Sequence, residues 1–96
     1  MRGFEVKTTV FVSKSVEKQL RTIPRHIKES LRNWVVTVER IGLIDARKLP
    51  GLHDEPLLGS RKNQRSIRLS RAYRGIYVEI IKGRQILVIK VSKHDY

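Results

Sequence analysis

The chain has 96 residues, of which 21 are lysine or arginine and nine are acidic, so its net charge is +12. This length predicts one domain, 1–96, and an apolar content of 40% argues against a disordered chain. The lack of cysteine excludes disulfides and thiolate chemistry, and the longest aliphatic run, residues 86–89, is too short to cross a membrane. The charge predicts a polyanionic partner, either nucleic acid or an acidic protein.

The first half of the chain predicts one strand followed by two helices. Residues 4–12 are rich in β-branched side chains, which are typical of a strand. Ser13 or Ser15 suits the N-cap of a short helix, and Pro24 suits the first turn of a second helix. In the second helix the apolar residues recur with the helical period, and Gly42 suits its C-cap. This apolar stripe comprises Ile27, Leu31, Trp34, Val35, Val38 and Ile41.

The second half predicts β-structure. Residues 43–64 show little periodicity beyond one helical turn, but from Arg65 onward apolar and polar residues alternate. Three strands are predicted, at about 65–69, 72–81 and 84–92. Tight turns at Ser70-Arg71 and Lys82-Gly83 would connect them as an antiparallel meander. The sequence therefore predicts an α+β fold in which an N-terminal strand, a helix pair and this three-stranded meander form a sheet with helices on one face.

These two turns predict a register that divides the meander into two faces. Arg68 would lie opposite Tyr73. The face predicted to be open and cationic carries Ser66, Arg68, Tyr73, Gly75, Tyr77, Lys90, Ser92 and His94. The face predicted to lie under the helices carries Ile67, Leu69, Ala72, Ile76, Val78, Ile80, Leu87 and Ile89. Arg74 falls on this apolar face, so we expect it at a sheet end, on a bulge, or paired with Glu55 or Asp95.

Positive charge is concentrated between Arg61 and Arg74, where six cations occur without an acid. Aromatic and β-forming residues are interleaved with them, a pattern that favours contact with a nucleic-acid backbone. The residues predicted to contact nucleic acid are Arg61, Lys62, Arg65, Arg68, Arg71, Tyr73, Lys90 and Lys93. A charged run is more often only a solvated surface, and Tyr73 and Tyr77 suit packing better than base stacking.

One motif in this segment resembles a known family. It reads Leu57-x-Gly59-x-Arg61-x-x-Gln64-x-Ser66-Ile67-Arg68, followed by Arg74 and Tyr77. The motif resembles the HigB branch of the RelE/ParE toxin superfamily, as do the predicted element order and the ending Lys93-His94-Asp95-Tyr96. The resemblance implies a RelE-like fold and a toxin of a bacterial type II toxin–antitoxin system. It also implies a cytoplasmic protein that cleaves mRNA on the ribosome and is neutralised by a cognate antitoxin in a hetero-oligomer.

The resemblance further implies a catalytic site that comprises Glu55, Arg74, His94 and Tyr96. RNA supplies its own nucleophile, the 2′-hydroxyl, so a ribonuclease without metal or cofactor needs a base, cations for the phosphorane charge and an acid for the leaving oxygen. Glu55, which precedes a Pro-Leu pair, is the predicted base, and His94 is the predicted acid. Arg68 and Arg74 would stabilise the charge, and Tyr96 would stack on a base or donate a proton.

Each assignment has a structural alternative. Glu55 and Arg74 suit a purely structural ion pair, and His94 suits a frayed terminal side chain. Residues 53–55 are three potential metal ligands, but adjacent residues rarely converge on one ion. The chain also departs from the family pattern, because Leu58 stands where lysine is frequent and His94 does not end the chain.

Two other functions compete with the endonuclease. One is a ParE-like poison of DNA gyrase that binds its target without chemistry, which Leu58 and the altered C-terminal order favour. The other is a basic nucleic-acid-binding module. The set of Glu55, Arg74 and His94 favours the endonuclease, and no membrane partner is expected.

Overall fold

Five strands and three helices occur within residues 7–61 and 63–93, the part of the chain that this computed structural model describes. In chain order they are β1 (Thr9–Val12), α1 (Lys14–Leu20), α2 (Arg25–Ile41), α3 (Leu43–Arg47), β2 (Glu55–Pro56), β3 (Gln64–Arg68), β4 (Tyr73–Ile81) and β5 (Gln85–Lys93). The predicted α+β class is confirmed. No helix in the described ranges is long and apolar enough to cross a membrane.

The strands form one sheet in the order β1-β5-β4-β3-β2. β1 runs parallel to β5, and the other neighbouring pairs are antiparallel. The meander of β3, β4 and β5 is therefore as predicted. β2 is an additional strand that the sequence did not reveal, because two residues give no alternation to detect. It places Glu55 at the edge of the sheet, opposite Ser66.

The helices cover one face of this sheet, and the apolar core lies between the two layers. The core includes Val16, Ile27, Leu31, Trp34 and Val38 from the helices and Ile67, Tyr77, Ile86, Val88 and Val91 from the sheet. The predicted stripe of α2 is thus confirmed, except that Ile41 in its last turn is exposed. The rings of Trp34 and Tyr77 lie 5.1 Å apart between centroids, so the two largest buried side chains join the layers.

Both ends of the helix pair follow local sequence signals. Ser13 has an extended backbone, and its Oγ accepts a hydrogen bond of 3.1 Å from the amide of Val16. Ser13 rather than Ser15 is therefore the cap of α1. Gly42 follows α2 with φ of 86°, a conformation that residues with a Cβ rarely adopt.

Replacing Ser13 by alanine is expected to lower the free energy of unfolding by about 1 kcal/mol, the usual contribution of a serine N-cap. Ser15→Ala is the matched control, because Ser15 lies inside the first turn and alanine favours helix there. Urea denaturation followed by circular dichroism measures both variants. Equal losses of stability would contradict the assignment of the cap to Ser13.

The predicted register between β3 and β4 is wrong by one residue. Arg68 lies opposite Arg74 instead of Tyr73. The connection is longer than the predicted two residues, because Ser70 Oγ accepts hydrogen bonds of 3.1 Å from the amides of both Ala72 and Tyr73. A slip of one residue exchanges the two faces of a strand.

This slip inverts the predicted faces of β4. Tyr77 lies in the core and Tyr73 packs against it, whereas Arg74 lines the open face. Ile76 is buried but lines the cleft on the open face. The other residues that were predicted for the helix-covered face and lie outside the core are Ala72, Val78, Ile80, Leu87 and Ile89. The physical cause is the serine-stabilised turn, which fixes the register of β4 against β3.

An irregularity in the pairing of β4 with β5 limits the consequences of the slip. The register shifts by one residue next to Tyr77. A bulge of this kind changes the face to which the following side chains point. Val88 and Val91 consequently both lie in the core, while Lys90 and Ser92 line the open face, where they were predicted.

Candidate active site

A cleft of about 290 Å³ opens on the sheet face opposite the helices. Four strands supply its polar lining, namely Glu55 from β2, Ser66 from β3, Arg74 from β4, and Lys90 and Ser92 from β5. The remaining walls are Pro56, Leu57, Arg61 and Ile76. Strand pairing brings these residues together, because Glu55 lies opposite Ser66 and Arg74 lies opposite Ser92.

Glu55 and Arg74 form an ion pair in this cleft. Nη2 of Arg74 donates to Oε1 of Glu55 at 3.4 Å. The Arg74 side chain is 24% exposed and that of Glu55 is 62% exposed, so the pair is long and well solvated. Nη1 of Arg74 is buried and has no hydrogen-bond partner among the described residues. The expected pairing of Arg74 with a carboxylate is confirmed, and the guanidinium retains donors for an anion.

The cleft is cationic. Arg61, Arg74 and Lys90 line it against one carboxylate, that of Glu55, which leaves a formal excess of two positive charges (3 − 1). Arg61 is held by a hydrogen bond of 3.1 Å from its Nε to Oε1 of Gln64. Positive side chains at the rim of a cleft attract anions. In addition, the Glu55 carboxylate can accept a proton from a bound molecule while the Arg74 guanidinium binds a negatively charged group of that molecule.

The carboxylate of Asp54 lies away from the cleft, next to the core residue Tyr77. The sequence did not predict that this carboxylate is buried. The Asp54 side chain is only 1% exposed and accepts hydrogen bonds from Nε of Arg65 at 2.6 Å and from the hydroxyl of Tyr77 at 2.5 Å. Glu55 and Asp54 thus lie on opposite sides of the sheet, as successive residues of an extended chain do. Arg65 was predicted to contact RNA, but its guanidinium binds this buried carboxylate.

The same network continues along β4. Arg47 donates from Nε to the Tyr77 hydroxyl at 3.4 Å and from Nη2 to Glu79 at 2.6 Å, and Glu79 also accepts from the amide of Gly83 at 2.8 Å. Burial alone would raise the pKa of Glu79, but the bonds from Gly83 and Arg47 outweigh it and lower that pKa. Burial, reinforced by the bond to Asp54, raises the pKa of Tyr77 well above its ordinary value of 10.0.

The raised pKa of Tyr77 is expected to make the folded state sensitive to alkali. The folded protein keeps the phenolic proton to higher pH than the unfolded chain, so this contribution to stability is complete below about pH 10 and is lost above it. For one proton the loss is up to about 1.4 kcal/mol per pH unit. Urea unfolding between pH 9 and 11 measures the slope. Tyr77→Phe removes the titrating group, and an unchanged slope in that variant would contradict the assignment.

The other predicted RNA contacts lie away from the main cleft. Arg68 and Arg71 gather with Arg74 around the turn between β3 and β4. Lys93 ends β5 opposite Tyr73. Tyr73 is half-buried against the core, so its predicted place on the open face is wrong.

Three predicted residues, Lys62, His94 and Tyr96, lie outside the described residues, so their roles stay predictions. Ser66 and Ser92 were expected on the open face but were not assigned to the site, and they line the cleft. Within the described ranges, no three His, Asp or Glu side chains are grouped in a way that could hold a metal ion.

No protein-family model matches this sequence, and no curated protein matches it significantly. Solved structures do match it. The toxin–antitoxin complex RelBE2 from Mycobacterium tuberculosis shares 18% identity at a TM-score of 0.68, over 93% of this chain and 100% of that chain. The archaeal RelE–RelB complex from Pyrococcus horikoshii shares 20% identity at a TM-score of 0.69, over 91% of this chain and 94% of that chain. The YoeB/ParE toxin from Agrobacterium tumefaciens shares 20% identity at a TM-score of 0.65, over 92% of this chain and 100% of that chain.

The fold is that of the RelE/ParE toxins. The expectation of a RelE-like fold is thereby confirmed, while the assignment to the HigB branch stays a prediction. At these identities the likeness concerns the RelE/ParE fold alone. The function must therefore be argued from the cleft of Glu55, Arg74 and Lys90.

Proposed function

We propose that this protein is the toxin of a type II toxin–antitoxin pair and that it cleaves ribosome-bound mRNA in the bacterial cytoplasm. The observation that supports this most is the meeting of Glu55, Arg74 and Lys90 in one cationic cleft. A carboxylate beside two cations fits cleavage of a phosphodiester without metal or cofactor. The fold supports the same proposal, because its structural neighbours are toxins.

In the proposed reaction the 2′-hydroxyl of the RNA attacks the adjacent phosphorus, and Glu55 accepts the hydroxyl proton. Arg74 and Lys90 stabilise the negative charge that grows on the non-bridging oxygens. The bond to O5′ breaks, and O5′ takes a proton, for which the sequence offers His94 and Tyr96. The products are a 2′,3′-cyclic phosphate and a 5′-hydroxyl.

The proposed protein partner is a cognate antitoxin with an acidic segment. A chain with a net charge of +12 binds nucleic acid with little selectivity at low salt, so its storage in a cell calls for a neutralising partner. An acidic segment over the cleft of Arg74 would block RNA. The similar solved structures include the toxin–antitoxin complex RelBE2 and a RelE–RelB complex, which favours a hetero-oligomer here.

Translation with purified ribosomes tests the proposal. We expect the protein to produce mRNA 5′ ends in register with codons, and Glu55→Gln to lower their yield by about 100-fold or more, the usual contribution of a general base. Primer extension maps the ends, and naked mRNA is the control for dependence on ribosomes. Absence of new 5′ ends with the wild-type protein would contradict the endonuclease.

Leu58 favours a second candidate, a gyrase poison. Its side chain is 89% exposed directly after the Pro-Leu pair, so an apolar group stands on the surface next to the cleft. Exposed apolar side chains beside a charged surface suit a protein target. Gyrase-linked DNA breaks in a supercoiling assay, without mRNA cuts, would establish this function instead. Binding of RNA without either effect would leave a basic nucleic-acid-binding module.

A further inference from the structure

A second, smaller cleft shares Arg74 with the first. Its volume is about 110 Å³, and it is lined by His53, Arg68, Ser70, Arg71 and Arg74. Three of these are guanidinium groups, and within the described ranges no carboxylate lines the cleft. Arg68 and Arg74 bring positive charge to this cleft from facing positions on β3 and β4, and that charge attracts an anion that enters the cleft. The lining therefore favours an anionic ligand.

Two further hydrogen-bond donors supplement the arginines. Ser70 Oγ accepts hydrogen bonds from the amides of Ala72 and Tyr73, so its hydroxyl hydrogen is not used in either bond and can be donated. His53 is held at φ of 44°, and its amide donates to the carbonyl of Pro50 at 3.3 Å. Its imidazole adds an N–H donor at the wall formed by the chain before β2. Both side chains belong to turns that the backbone fixes.

Arg74 connects the two clefts, because it lines both. Nη2 reaches Glu55, whereas Nη1 is buried without a partner among the described residues. A guanidinium carries five N–H donors in a planar fork, so one arginine can bind two anions at once. At N···O distances of about 2.8 Å on each side, two such anions lie as close together as neighbouring phosphates of one strand.

We propose that the second cleft binds the phosphate next to the scissile phosphate on the same RNA strand. The inference rests on the proposed endonuclease function for the identity of that strand. A volume of about 110 Å³ holds roughly three to four waters, which is the scale of a phosphate group and too small for a nucleobase with its sugar. His53 and Ser70, which were not among the predicted RNA contacts, become RNA contacts, and Arg74 holds both the strand and the reacting phosphate.

Comparison of a dinucleotide with a trinucleotide tests the inference without cleavage. Both carry 2′-O-methyl groups, so neither can react, and they contain one and two phosphodiesters. We expect the wild-type protein to bind the trinucleotide about tenfold more tightly in an NMR titration at low salt. A trinucleotide with one uncharged methylphosphonate linkage should lose this gain. This measurement uses the wild-type chain, so it does not depend on how any variant folds.

Matched variants locate the second phosphate. The double variant His53→Asn/Arg68→Gln should abolish the tenfold gain. Asparagine is chosen for position 53 because it tolerates the positive φ of His53. The slope of log affinity against log salt should also fall by about 0.7, the value for one phosphate contact of a single strand. Arg32→Gln, which removes an exposed charge from α2, should keep both the gain and the slope. Circular dichroism confirms that each variant is folded.

The outcomes separate this inference from the reaction itself. If the double variant no longer binds the trinucleotide more tightly than the dinucleotide, the second phosphate site is supported. This holds even if no mRNA is cleaved on ribosomes, because the titration measures binding and not cleavage. A gain that survives in the variant, or survives the methylphosphonate, overturns the inference. A glutamate-rich peptide serves as a second ligand. If the double variant binds this peptide more weakly than the wild type does but keeps the trinucleotide gain, the inference is overturned and the cleft is assigned to an acidic protein.

Discussion

Arg74→Ala is expected to lower the rate of RNA cleavage by about 100- to 1,000-fold, the usual effect of removing a donor that stabilises transition-state charge. Arg74 lies 3.4 Å from Glu55 and lines both clefts, so its loss removes charge stabilisation and the grip on the strand together. Lys90 remains as a point charge and accounts for residual activity. Single-turnover cleavage of mRNA on stalled ribosomes measures the rate.

The same substitution is expected to change the free energy of unfolding by no more than about 0.5 kcal/mol. It deletes a guanidinium whose Nη1 has no hydrogen-bond partner among the described residues. Glu55 loses only a long, solvated contact and can be hydrated in its place. A large loss of activity at nearly constant stability distinguishes a functional arginine from a structural ion pair.

Two control variants sharpen this result. Arg74→Lys keeps the charge but lacks the planar fork, so its rate should lie between those of alanine and wild type. Arg25→Ala removes an equal charge from an exposed position on α2 and should cleave as wild type does. A folded Arg74→Ala protein with full activity would remove Arg74 from the site.

The helical part of the fold was predictable because its information is local. The stripe of α2 and the glycine after it are properties of a continuous stretch, and the structure retains them with Gly42 at positive φ. The existence of β3, β4 and β5 was predictable for the same reason. Their register was not, because it depends on one turn, where Ser70 adds residues to the connection.

That turn also decided the position of Arg74. Simple alternation put it on the apolar face, whereas resemblance put it in the site. The longer turn moves it to the open face, where it meets Glu55. Parity arguments fail at turns and bulges, and this meander contains the turn at Ser70 and two register shifts between β4 and β5.

Asp54 was missed for a different reason. Its partners lie 11 and 23 residues away in sequence, so no local pattern marks it as buried. A carboxylate in an irregular loop is normally solvated. The sequence showed three adjacent polar residues, and only the tertiary structure separates the buried Asp54 from Glu55 in one cleft and His53 in the other.

Asp54→Ala is expected to lower the free energy of unfolding by about 3 kcal/mol, the lower end of the cost of removing one partner from a buried charge pair. Tyr77 loses the acceptor for its buried hydroxyl, and Arg65 loses its counter-charge. Because the Arg65 side chain is partly exposed, it can turn toward solvent, which keeps the loss of unfolding free energy at the lower end of that range. The melting temperature should fall by roughly 12–24 °C for a domain of this size.

Stability and activity should fall together in this variant, unlike in Arg74→Ala. Asp54 directly precedes Glu55, so its hydrogen bonds to Arg65 and Tyr77 hold the backbone that positions Glu55. A displacement of a reacting group by about 1 Å costs on the order of 100-fold in rate. The losses of unfolding free energy in Asp54→Ala and Tyr77→Phe should not add, because the two substitutions remove the same hydrogen bond. Glu29→Ala, which breaks an exposed pair on α2, is the control and should change stability little. Additive effects, or a loss no larger than that of Glu29→Ala, would show that the buried carboxylate does not hold the site in place.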